Sequence, residues 1–285
     1  MALPTVYNTL TATEKLERLW TEVAADPYPD DSLPRQAPGA WERRKLFSVG
    51  FTRASFEHVS DEMPPGRAKL VHAYGTVAKV TINVEDDHGY TGIFAAGGAA
   101  LLRFSDAKGG GKTPTLALKF MVDGKPSLNF LALPYRHRDP EDRDPLTGVY
   151  SNAVAPPVEL DTKAVAFAFQ RTADALGGKR LYAVYLPLHH LAEMDSAGNT
   201  VADARVPDRL ELWGTAQARE AMVSHRDWRN SLASLPTGTQ LFDLKVSSGI
   251  DEPAVAYGTV TLDSSFVASR YGDERLFFQH DVGPT

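Results

Sequence analysis

Three runs between Arg67 and Leu133 decide the fold: RAKLVHAYGTVAKVTINV (residues 67–84), TGIFAAGGAALLRFSD (91–106) and LALKFMVDGKPSLNFLAL (116–133). The first is rich in β-branched and aromatic residues. His72, Tyr74, Thr76, Ala78 and Val80 fall at every second position, which puts them on one face of a strand. AALLRFSD, TPTLALKFMVDG and PSLNFLALP read as further strands. Asp123-Gly124 predicts a hairpin between the last two, because Asp-Gly accepts the positive φ angles of a tight turn. Asn83, Arg103 and Asn129 sit among apolar neighbours. A polar group at an apolar position needs a partner or a task.

Outward from this block, the chain alternates between helix and strand signals. Thr11-x-x-Glu14 is a capping-box pattern, and Leu16, Leu19, Trp20 and Val23 follow at helical spacing. The proline-rich stretch DPYPDDSLPRQAPGAW (26–41) reads as an arm, with a helix or irregular segment at 41–47. RHRDPEDRDP (136–145) is a charged loop, and LDTKAVAFAFQRTADAL (160–176) traces a helical face. RLYAVYLPL (180–188) returns to strand. A helix is expected near Thr215–Val223 or after Asp227. LFDLKVSS (241–248) and AVAYGTVTL (254–262) are strands joined by GIDEP. The order predicts an α+β fold on an antiparallel sheet or barrel. A helix and arm (1–66) precede a single barrel core (67–285).

Composition bounds the function. The 285 residues contain no cysteine, which excludes disulfides, iron–sulfur clusters, thiolate metal sites and cysteine nucleophiles, and fits a reducing cytoplasm. The net charge of −6 argues against an unspecific nucleic-acid surface. No apolar run approaches the roughly 20 residues of a membrane span. The N-terminus lacks the basic start and apolar core of a signal peptide. Gly109–Thr113 tempts a phosphate-loop interpretation, but Asp106 stands where the first glycine belongs and Pro114 blocks the helix that should follow. His189, His190 and Glu193 have helical metal-ligand spacing without a second pair nearby. No G-x-S-x-G elbow occurs. His72, Arg103 and Asn129, each taken alone, read as structural residues.

VHAYG, LLRFSD and LALKFMVDG together resemble segments of the haem catalase family and its short catalase-related members. VHAYG is similar to the V-H-A-K-G segment that carries the family's distal histidine. LLRFSD is similar to its R-F-S segment, and GTVTLD (258–263) to the strand that closes its barrel. The resemblance implies an eight-stranded antiparallel β-barrel with surrounding helices, haem b against the barrel wall, and peroxide chemistry. It makes His72 the acid–base group and Asn129 the residue that orients a peroxide. Val71 narrows the approach. Arg103, with Ser105 in the same segment, faces a haem propionate.

The sequence departs from the family pattern in three places. Lys69 replaces an arginine, keeping charge without the planar fork, and Tyr74 replaces a lysine. The family's proximal tyrosine has no counterpart, since one alignment sets Gln279 at its place and another places its helix beyond the sequence. His280 and Tyr271 are the alternative iron ligands. The expected activity is that of a catalase-related haem oxidoreductase on a peroxide, more readily an organic or fatty-acid hydroperoxide than hydrogen peroxide. The alternatives are a haem-free barrel that binds a small apolar ligand or a partner, and a haem enzyme of a biosynthetic pathway. The arm at Asp26–Pro38 could join a homo-oligomer.

Overall fold

A computed structural model describes residues 9–29, 61–62, 74–85, 88–106, 114–137, 145–154, 184–185, 188–225, 227–249 and 252–278. In chain order, the elements begin with helix α1 (Ala12–Ala25), strand β1 (Tyr74–Val84), the short helix α2 (Ile93–Ala96) and β2 (Gly98–Asp106). Next come β3 (Thr115–Phe120), β4 (Leu128–His137), β5 (Gly148–Ser151), β6 (Ala153–Val154), β7 (Val184–Tyr185) and α3 (His189–Ala192). They end with β8 (Arg209–Gly214), α4 (Ala216–Ala221), α5 (Trp228–Ala233), β9 (Gln240–Ser247), β10 (Val255–Leu262) and a π-turn at Tyr271–Arg275.

Eight strands close a barrel in which every pairing is antiparallel. The order is β1-β2-β3-β4-β5-β8-β9-β10 and back to β1, so sequence neighbours pair except where β6, β7 and α3 intervene. Closure removes the exposed edges that an open sheet would have to protect. The three runs that opened the sequence supply the β1–β4 wall. Asp123-Gly124 turns the chain between β3 and β4, with Gly124 at φ +62°.

Alternation divides this wall into two faces. Ala78, Val80, Leu102, Phe104, Leu116, Leu118 and Phe130 point inward with the rest of the main core. Inside, Phe104 packs against Tyr150, Phe266 and Phe242 at ring-centroid distances of 5.7, 5.8 and 6.2 Å. A barrel of eight strands has an interior just wide enough for side chains, and these rings occupy it. Val77, Leu101 and Ala117 point outward into a second cluster with Leu16, Leu19 and Val23 of α1 and with Leu276 and Phe278. Burying each such aliphatic side chain contributes about 1.5–3 kcal/mol, which fixes α1 to the wall.

The capping box predicted for α1 is formed, with Thr11 and Glu14 bonding each other's backbone N–H groups. The last described segment straps across the outside of β1. Val77 and Val267 exchange backbone hydrogen bonds, and Phe277 N–H donates to the Asp61 carbonyl. Among the described residues, no helix is long and apolar enough to cross a membrane. The segments at 41–47 and 160–176, and most of the proline-rich arm, lie outside the described residues.

Candidate functional site

The outer face of the β1–β4 wall carries most of the described residues that the sequence singled out. Lys69, Val71, His72 and His280 lie outside the described residues, as does Gly109–Thr113. Arg103 is buried, 3% exposed, and its Nη2 lies 3.1 Å from Asp273 Oδ1. The same carboxylate oxygen accepts the Gly75 N–H at 2.8 Å. Burial pushes the Arg103 guanidinium down from its usual range, and Asp273 opposes that shift. A glycine is required at 75, since a Cβ there would meet the Phe104 carbonyl and approach Arg103 Nη2 to 2.9 Å. Ser105 is buried beside Thr115, with 3.4 Å between their hydroxyl oxygens. The Tyr271 hydroxyl donates to Glu62 at 2.7 Å.

Asn129 belongs to a second polar group on the same face. It is the cross-strand partner of Lys119. The Lys119 ammonium, 1% exposed, lies 2.9 Å from Asp61 Oδ1, and Asp61 is 3% exposed. The Phe278 ring covers Lys119, with its centroid 5.2 Å from Nζ. Burial pushes the Asp61 carboxyl up, but Lys119, the Ser127 hydroxyl and Lys15 outweigh it, so the net direction is down. Lys15 is wholly buried, and its ammonium donates to the carbonyls of Val122, at 2.7 Å, and Lys125. Asn129 Nδ2 donates to the Ser127 carbonyl at 3.4 Å, and His190 Nε2 lies 2.7 Å from the Asn129 carbonyl oxygen. Two buried oxygens have no hydrogen-bond partner, Asp61 Oδ2 and Asn129 Oδ1.

Sequence reasoning found Asn129 but missed Lys119, Asp61 and Lys15. Lys119 did carry a signal, since it interrupts the apolar run LALKFMV. Lys15 lies one helical turn before Leu19, on the apolar face of α1. Asp61 carries no sequence signal, because Phe277 and Lys119 hold it from distant parts of the chain. His190 lies beside Asn129 and not in a metal cluster. No group of three or more His, Cys, Asp or Glu placed for a metal occurs among the described residues.

Two described residues that the resemblance sets at a haem, Arg103 and Tyr271, are engaged within the chain. The Arg103 charge is already committed to a buried carboxylate of the chain itself. The inner face of the wall is filled by aromatic rings, and the outer face is covered by α1, Leu276 and Phe278. The Tyr271 hydroxyl is engaged by Glu62. Comparison with known proteins adds no family to this geometry: no family model, curated protein or solved structure matches the chain.

Proposed function

We propose that the chain is a catalase-like barrel that works without haem and binds a small neutral molecule at Lys119, Asp61 and Asn129. One observation carries the reading: the buried Asn129 Oδ1 has no donor, and Asp61 Oδ2 has beside it only the Ser127 hydroxyl, which donates to Met121 Sδ. A buried polar atom left unpaired costs about 1–3 kcal/mol, and native proteins rarely leave such an atom without a partner. The chemistry of the site selects the ligand. Both open positions are acceptors, so the ligand brings at least two N–H or O–H donors. Lys119 is already balanced by Asp61, so a charged ligand would leave an uncompensated buried charge. A primary amide, a diol or hydrogen peroxide meets both conditions. An apolar ligand does not.

The Asn129 side-chain amide supplies the test. Titrating ¹⁵N-labelled protein with acetamide and ethylene glycol should shift its signals saturably, and acetate should not. Asn129→Leu should abolish acetamide binding, followed by calorimetry. Ordered water at the site would leave the amide signals unmoved by either ligand and would overturn the reading.

A second reading is the catalase-related haem oxidoreductase acting on an organic hydroperoxide, with His72 as the acid–base group. What supports it is position. The segments that carry the resemblance contribute to adjoining strands of a closed eight-stranded barrel, the architecture the resemblance implies. The Asn129 amide oxygen is also open. Haem content of the purified protein separates the two readings.

A further inference from the structure

The two edges of β1 are held differently. On one side it registers with β2 from Tyr74 to Ile82. On the other side β10 pairs with it only from Val80 to Val84. The chain that follows β10 covers the remaining edge. The N–H groups of a strand point alternately to its two sides, and those of Gly75, Val77 and Lys79 meet this cover. Lys79 N–H donates to Ser264 Oγ at 2.9 Å, Val77 N–H to the Val267 carbonyl at 3.0 Å and Gly75 N–H to Asp273 Oδ1 at 2.8 Å. The Val77–Val267 contact is an isolated bridge, not part of a ladder. On either side of it, side-chain oxygens stand where a neighbouring strand would present carbonyls.

Phe266 roots this cover in the main core, with its ring centroid 5.8 Å from that of Phe104. From Val267 to Phe278, the buried apolar side chains are Leu276 and Phe278. Asp273 holds the cover to the wall through Arg103 at 3.1 Å. A buried ion pair adds little net stability, because desolvation offsets the attraction. Phe277 N–H donates to the Asp61 carbonyl at 3.0 Å. Segments with few ladder bonds and little apolar burial open before the rest of a fold.

We propose that Val267–Phe278 is a cover that leaves the β1 edge as one unit, hinged after Phe266 and latched by Asp273, while the barrel stays closed. Opening lifts the Phe278 ring from Lys119 and releases Asp61 from Phe277, which uncovers the Lys119 site. The role of that opening as a ligand entrance rests on the function proposed above, whereas the motion itself does not.

Hydrogen exchange of the ligand-free full chain, followed amide by amide at low urea concentrations, tests the motion. The amides of Val77, Val267 and Phe277 should be protected about tenfold less, or lower still, than those of Thr76 and Ala78, which face β2. Their exchange should also depend less on urea, since a local opening exposes less surface than unfolding. Two levels of protection would thus alternate within one strand. Equal protection with equal urea dependence would mean that the cover opens only when the barrel unfolds, and would overturn the proposal. Asp273→Asn should speed exchange at Val77 and Val267 together by about tenfold or more, the loss of a hydrogen bond between charged groups. A change confined to Gly75 would overturn the single unit and its latch. No ligand takes part, so the outcome is independent of the acetamide titration at Asn129.

Discussion

At the scale of single residues, the buried Lys119–Asp61 pair governs the outer face. Removing one member leaves the other charged in an apolar surrounding, which costs about 3–5 kcal/mol. Asp61→Asn should therefore destabilise the protein by that amount at neutral pH in urea unfolding. Replacing both members with apolar residues should recover much of the loss. The pH dependence has a definite sign. The folded-state value of Asp61 lies below the ordinary one, so its contribution is full above the unfolded value of about 3.9. It is lost as pH falls through the folded value. Wild-type stability should drop on acidification through this window, and Asp61→Asn should remove that part of the slope. A slope unchanged by the substitution would contradict the assignment. The sequence marked Asn129 and Arg103 as polar residues in apolar strands. Their partners, Asp61 and Asp273, are far away in the chain, and no local pattern reveals such a pairing.

At the scale of elements, local chemistry was legible and long-range packing was not. The capping box, the apolar stripe of α1 and the Asp-Gly turn all follow from short spacings, and all three are present. The segment after β8 offered two positions for one helix, and it forms both, α4 and α5. Thr215 and Asp227 each act as an N-cap. Short helices of this kind depend on their caps more than on propensity. The burial of Lys15 was hidden, because its carbonyl partners sit on the β3–β4 turn. Thr11 begins the helix that covers the wall. Thr11→Ala should cost about 1 kcal/mol, measured by thermal or chemical unfolding. A neutral result would mean that side-chain packing alone fixes α1.

At the scale of the whole molecule, the eight-stranded barrel agrees with what the sequence resemblance implied. Alternating apolar positions specify which face of each strand is buried, and that much is local. Whether the barrel serves a haem depends on which charges meet after folding. The Arg103 guanidinium meets Asp273, and that carboxylate also holds the Gly75 backbone. The outer face meets α1 and the strap that follows β10. These contacts engage the Arg103 guanidinium within the chain and cover the outer face of the wall. The absorption spectrum of the protein, purified after expression with ample haem, tests this most directly. No Soret band is expected. A Soret band at one haem per chain, with spectroscopic evidence of a protein axial ligand, would contradict it.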